Sequence, residues 1–252
     1  MPRYFIHLSY SGKNYHGWQV QENTPDTVQH VLQEALGKLL REKIEVTGCG
    51  RTDTGVHAED FYAHFDSSLN DLHTEANKCT YKLNKMLPED IGILKILQVS
   101  DNANARFDAL SRSYEYRIHK VKNPFLNDFS WYRYGTLNIQ RMNEAAELLI
   151  HTSDFTSFSK LNTQVKTNTC RVKEALWVEK GDRLIFKITA DRFLRNMVRA
   201  IVGTLLEVGQ EKITVSDVSR IIENKDRSDA GFSVPAHGLH LTKVSYPEEL
   251  FK

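Results

Sequence analysis

Between Gly48 and Ala58 the chain reads Gly48-Cys49-Gly50-Arg51-Thr52-Asp53-Thr54-Gly55-Val56-His57-Ala58, one carboxylate bracketed by three glycines. Glycine admits positive φ and lets a ligand approach the backbone closely, so a loop of this kind can push Asp53 out beyond a sheet edge. A carboxylate shielded from water by a substrate stays ionised when a cation is near, and Arg51 stands two positions away. Once ionised it can act as nucleophile or base. Thr52 and His57 are the loop's other candidate substrate-binding side chains. The same residues also fit a tight strand connection with a solvated Asp. No P-loop, dinucleotide-binding glycine fingerprint, H-E-x-x-H or G-x-S-x-G competes for the chemistry. His57, Asp60 and His64 imitate metal ligands, but strand alternation places His57 and His64 on opposite faces, so no metal is expected.

The elements that must position this loop follow from periodicity. Arg3 to Tyr10 alternates as a strand, and Thr24-Pro25 supplies an N-cap and first-turn proline for a helix. Val28, Val31, Leu32, Ala35, Leu36, Leu39 and Leu40 then recur at three- and four-residue spacing and paint one apolar stripe. Strands are predicted over Ile44 to Cys49 and Glu59 to Asp66, a helix over Leu72 to Met86, and a strand over Ile91 to Val99. The order β-α-β-β-α-β then repeats. Its second copy has strand Arg112 to His119, helix Ile139 to Ile150, strands Val172 to Val178 and Leu184 to Ala190, helices Leu194 to Val208 and Val215 to Ile222, and strand Leu239 to Tyr246. The prediction is an α+β protein of two ferredoxin-like domains, 1–104 and 105–252, with antiparallel sheets flanking a central cleft in which RNA could lie.

A chain of 252 residues sits where one hydrophobic core gives way to two. It has 40% hydrophobic and 26% charged residues, the balance of a folded protein. No apolar run approaches the roughly 20 residues a bilayer requires, and a cytoplasmic protein is expected. The three cysteines, Cys49, Cys79 and Cys170, are too scattered for a disulfide framework, which fits a reducing compartment. A net charge of +1 does not by itself announce a nucleic-acid binder. The distribution is less even: Phe155 to Lys173 holds four basic residues and no acid, and Arg183 to Arg199 holds five against Asp191 alone.

Gly50-Arg51-Thr52-Asp53-Thr54-Gly55-Val56-His57-Ala58 resembles the catalytic loop of the tRNA pseudouridine synthase A family. The likeness continues through Tyr10-x-Gly12, Gly17-Trp18-Gln19, Ala105-Arg106-Phe107-Asp108-Ala109 and Arg112-x-Tyr114-x-Tyr116. It extends to Asp154-Phe155-Thr156-Ser157-Phe158, Phe193-Leu194-Arg195-Asn196-Met197-Val198-Arg199, Ile201-Val202-Gly203 and Pro235-Ala236-His237-Gly238-Leu239. Two departures stand out, Asn102-Ala103-Asn104 where the family commonly has an aromatic and a histidine, and Asp108 where it has Ser.

The resemblance implies a homodimer that converts uridine to pseudouridine at positions 38 to 40 of the tRNA anticodon arm, without a cofactor. Asp53 would be nucleophile or base, Tyr114 would stack on the target base, and Arg199 would pair with the carboxylate. Alternation alone puts Tyr114 in a core stripe with Tyr116 and Ile118. Arg51 is the candidate to fill the space left by the extruded uridine. Arg106, Arg112, Lys160, Lys166 and Arg171 would hold the RNA backbone without reading bases. Two other readings compete. Asp53-Thr54-Gly55 is the triplet of aspartic proteases, which need two such carboxylates, and only one copy occurs here. A non-catalytic RNA-binding protein would have no need of Asp53.

Overall fold

The computed structural model describes residues 1–69, 72–160 and 167–251. It is a mixed α+β structure with a mostly antiparallel sheet and, among the described residues, five α-helices. The chain forms two compact units. The first is Met1–Leu110 together with the segment from Leu241 onward, and the second is Ser111–His240.

In the first unit β1 (Arg3–Tyr10) lies between β3 (His57–Asp66) and β4 (Ile91–Val99), antiparallel to both. The two-residue β2 (Thr47–Gly48) pairs with β3. The predicted strand Ile44 to Cys49 shrinks to β2 because the Val46 backbone bonds side chains instead of a neighbouring strand. Its N–H donates to Gln33 Oε1 at 3.1 Å, and its carbonyl accepts from Gln29 Nε2 at 2.7 Å. Helix α1 (Val28–Leu40) starts after Thr27, whose hydroxyl accepts from the His30 amide. The predicted cap Thr24 instead accepts from the Asp26 amide in a preceding turn. Helix α2 is Ala76–Met86.

The stripe Val28, Leu32, Leu36 and Leu40 is buried, as are Tyr4, Ile6 and Leu8 of β1 and Phe61, Ala63 and Phe65 of β3. On the other face of β1, Phe5 is enclosed by Tyr62, His64, Tyr246 and Phe251.

In the second unit β5 (Ser111–His119), β8 (Arg183–Ala190) and β7 (Val172–Lys180) pair antiparallel in that order. An unpredicted short strand, β6 (Trp131–Tyr132), runs parallel to the end of β5. Helices α3 (Ile139–Glu147), α4 (Met197–Gly209) and α5 (Val215–Asn224) supply the apolar cover. The final strand, β9 (Leu239–Ser245), ends in the first unit.

Candidate active site

The Asp53 loop joins β2 to β3, and its backbone and the side chains flanking Asp53 are held by the rest of the first unit. Val56 N–H donates to the Asp53 carbonyl at 3.1 Å, closing a four-residue turn. Gly55 stands at its third position with φ 78°, where a type II turn requires a residue that tolerates positive φ. The floor beneath is backbone. A methyl group on Gly12 would lie 2.0 Å from the Val56 carbonyl oxygen, and one on Gly17 2.5 Å from that of Thr52. The glycines of Tyr10-x-Gly12 and Gly17-Trp18-Gln19 are thereby explained, since two positions without a Cβ atom let the loop settle onto them.

Side chains complete the seat. Tyr10 and Thr52 share a buried hydroxyl–hydroxyl bond of 2.8 Å, and the Gly12 amide donates to His57 Nδ1 at 3.1 Å. An acceptor Nδ1 means that this imidazole is neutral, with its proton on Nε2. Thr52 is only 7% exposed and His57 2%, so whatever these two do for a substrate they do through the shape of the loop. Trp18 packs on Phe61 with ring centroids 4.2 Å apart. Arg51 is exposed, and its Nε donates to Gln19 Oε1 at 3.1 Å. Asp53 itself is half-buried.

The second unit holds the other two candidate catalytic side chains. Tyr114, Tyr116 and Ile118 share one face of β5, yet their environments differ. Tyr116 is fully buried, and its hydroxyl donates to the Pro235 carbonyl at 2.9 Å. Burial pushes its phenol far above the ordinary range. Tyr114 is half-exposed, with its ring edge-on to Phe193 at 5.0 Å. Tyr116 and Ile118 form the core stripe, and Tyr114 stands at its open end.

Arg199, on the first turn of α4, is held by the segment before β9. Its Nε donates to the Val234 carbonyl at 2.7 Å, and the Val234 amide donates back to the Arg199 carbonyl at 3.3 Å. Arg227 donates to Ser233 and to the carbonyls of Ala230 and Gly231, which fixes the same segment. Asn196, in the left-handed region with φ 67°, turns the chain into α4 and donates to Ser233 Oγ.

The predicted backbone-holding cations are partly gathered. Arg112 Nη1 donates to the Asp191 carbonyl, and the Arg171 amide donates to Asp191 Oδ1, both at 2.8 Å. The amide of exposed Lys160 donates to the Arg195 carbonyl. The segment Asp191–Asn196 thus ties down the main chain at Lys160 and Arg171 and the guanidinium of Arg112, and it carries Arg192 and exposed Arg195, neither of them singled out from sequence as a backbone contact. Arg106, in the first unit, is exposed and lies over the Phe107 ring at 5.5 Å. Lys166 lies outside the described residues.

Two further residues hold the loop and were not expected from sequence to do so, Tyr10 and Gln29. Tyr10 opens the Tyr10-x-Gly12 motif. Gln29 had only one signal, a polar residue next to Val28 on the helix face that faces inward.

Strict alternation, which would put His57 and His64 on opposite faces, is broken by a bulge in β3. Tyr10 pairs with Ala58 but Leu8 with Phe61, so β3 carries an extra residue between them and the alternation flips. Both rings are nonetheless occupied as acceptors, His64 Nδ1 from the Ala105 amide and His57 Nδ1 from Gly12. Asp60 binds His7 Nε2 at 2.6 Å and the Val244 amide at 2.7 Å. Among the described residues no three His, Cys, Asp or Glu side chains come together as metal ligands.

Residues 145–247 match the family described as tRNA pseudouridine synthase. Over its full length the chain is 51% identical to the tRNA pseudouridine synthase A of Parabacteroides distasonis, of which it covers 98%. It is 51% identical to that of Porphyromonas gingivalis, with both proteins covered completely. It is 50% identical to that of Bacteroides fragilis, covering 99% of it.

Proposed function

Because the chain belongs to the tRNA pseudouridine synthase A family, and so isomerises uridine in tRNA, we propose that it acts in the anticodon arm at positions 38 to 40 with Asp53 as its nucleophile or base. The observation that supports this most is local. Around Asp53 the neighbouring backbone and the side chains of Thr52 and His57 are tied down, while the carboxylate keeps part of its surface open. A loop fixed in this way before the substrate arrives has little backbone freedom left to lose on binding.

The reaction breaks the bond between ribose C1′ and N1, turns the uracil, and joins C1′ to C5. The hydrogen lost from C5 is balanced by one gained at N1. No electrons or groups are exchanged with a second reactant, so the balance needs no cofactor. The uridine must first leave its stack, at a cost of a few kcal/mol. In our reading Arg51 fills the gap. Tyr114 offers its half-exposed ring to the extruded base, a contact of roughly 1–3 kcal/mol. Arg199 is the cation that balances the carboxylate charge at the reacting uridine. The surface around Asp191 holds phosphates through Arg112, Lys160 and Arg171, with Arg106 and Lys166 as further contacts. We read the chain as two ferredoxin-like repeats, 1–104 and 105–252. The order β4-β1-β3 with β2 on β3, and β5-β8-β7 in the second half, supports this. The family resemblance supports a homodimer working in the cytoplasm.

The test is pseudouridine mapping on tRNA treated with wild type and with Asp53→Asn. The amide keeps the size of the side chain and removes its charge and nucleophilicity. Turnover is expected to fall by several orders of magnitude with tRNA binding unchanged or tighter, and wild-type product to sit at the stem–loop junction. Equal product from the two proteins would remove Asp53 from the chemistry.

A further inference from the structure

Arg51 is exposed, yet its guanidinium is not left to wander. Its Nε donates to Gln19 Oε1 at 3.1 Å, and the Gln19 amide nitrogen donates to Gln29 Oε1 at 2.8 Å. Gln29 is 9% exposed, and its own amide is fixed at both ends. Oε1 also accepts from the Val20 N–H at 2.8 Å, and Nε2 donates to the Val46 carbonyl at 2.7 Å. The Gln29 backbone amide donates to the Trp18 carbonyl, so the same residue anchors the main chain on which Gln19 stands. An amide whose oxygen and nitrogen both have obligatory partners has only one sense in which it can sit. That sense dictates which end of Gln19 faces Gln29, and hence that an oxygen faces Arg51.

We infer that Gln29 and Gln19 are positioning residues that hold Arg51 aimed, through a one-way chain of amides, for entry into the stack vacated by the target uridine. The inference rests on the reading of Arg51 as the space-filling residue. The partner's neutrality matters. A carboxylate in place of the Gln19 amide would bind the guanidinium through a charge-assisted pair and compete with RNA for it, whereas a neutral oxygen sets direction and leaves the full positive charge available. The chain thereby separates aim from retention. It ties the exposed Arg51 to the inner face of α1, where no RNA need reach.

The experiment is a double-mutant cycle with Gln19→Leu and Arg51→Ala in the full-length protein. It is read by release of the C5 hydrogen from tRNA and by fluorescence of a 2-aminopurine placed next to the target uridine. Gln19 is half-exposed, so its replacement spares the buried Gln29, and thermal melting checks folding. Gln19→Leu is expected to lower kcat by about tenfold, with KM changed less than about twofold, and to reduce the 2-aminopurine signal by a similar factor. In the Arg51→Ala background the same change should do almost nothing. Two full, multiplicative losses would overturn the relay while leaving Arg51 its role. A wild-type rate and a full fluorescence rise from Arg51→Ala would overturn both the reading of Arg51 and the inference built on it.

Discussion

His64 lies under Phe5 with its Nδ1 accepting the Ala105 amide, a bond that only the neutral ring can make. Burial, and then the nearby Arg3 guanidinium, lower its pKa from 6.5 to about 4, against the smaller opposite pull of Asp66 and Asp108. In the unfolded chain the ring takes up a proton below about pH 6.5 and in the fold only near 4. The unfolded state therefore binds more protons across that window, so the stability due to neutral His64 is complete above pH 6.5 and is lost as pH falls toward 4. Urea unfolding between pH 7 and 4 should show this decline, and His64→Gln should flatten it; an unchanged slope would mean that other groups carry the acid sensitivity. At this scale Asp53 was legible as a candidate, because a carboxylate among glycines and cations stands out in one short stretch. Burial of Thr52 and His57 was not, because their partners Tyr10 and Gly12 lie 42 and 45 positions away.

Helix α4 and the chain from Ala230 to Pro235 meet without room for one methyl group. A Cβ on Gly203 would come within 1.8 Å of the Phe232 carbonyl oxygen, and Thr204 Oγ1 accepts from the Gly231 amide at 2.9 Å. Because the same strap receives the Arg199 guanidinium at Val234, packing and site geometry are coupled here. Gly203→Ala should cost about 1–3 kcal/mol, lower the melting temperature by about 5 °C, and reduce turnover beyond what the stability loss explains. Gly50→Ala is the contrast, since nothing lies within 4 Å of its would-be methyl group and its φ is not positive. It should be nearly silent in a melting scan although it sits three residues from Asp53. Glycines that look alike in sequence thus carry unlike loads. The stripe of α1 and the strands β1 and β4 were readable because periodicity is a local property. The truncation of β2 and the flipped parity of β3 were not, because side chains of α1 and the register with β1 decide them.

Across the whole chain a net charge of +1 conceals the basic runs Phe155 to Lys173 and Arg183 to Arg199, parts of which meet at Asp191. If Arg112, Lys160 and Arg171 hold phosphates, tRNA affinity must depend steeply on salt, since each contact releases condensed counterions. The logarithm of affinity against that of salt concentration should have a slope of several units, shallower by about 1–2 in Lys160→Ala/Arg171→Ala, with kcat at saturating RNA unchanged. An unaltered slope would move the RNA off this surface. The basic runs were visible as counts along the sequence. The approach of Arg112 and Arg171 to the Asp191 segment was not, because the pairing of β5, β7 and β8 decides which residues meet at the end of β8.

The first unit is discontinuous: its opening 110 residues are joined by the segment beginning at Leu241, and the 130 residues Ser111–His240 come between. On a ribosome the N-terminal strands therefore emerge well before their last partner, by of the order of ten seconds at ordinary elongation rates. During that interval Phe5, Tyr62 and His64 lack Tyr246 and Phe251, so a nascent chain carries an uncovered aromatic face. The second unit is one uninterrupted stretch of chain, whereas the first cannot be completed until the segment from Leu241 has been made. Chains stalled or cleaved before Leu241 are thus the species that chaperones and proteases should recognise, which gives the C-terminal strand a part in quality control during synthesis.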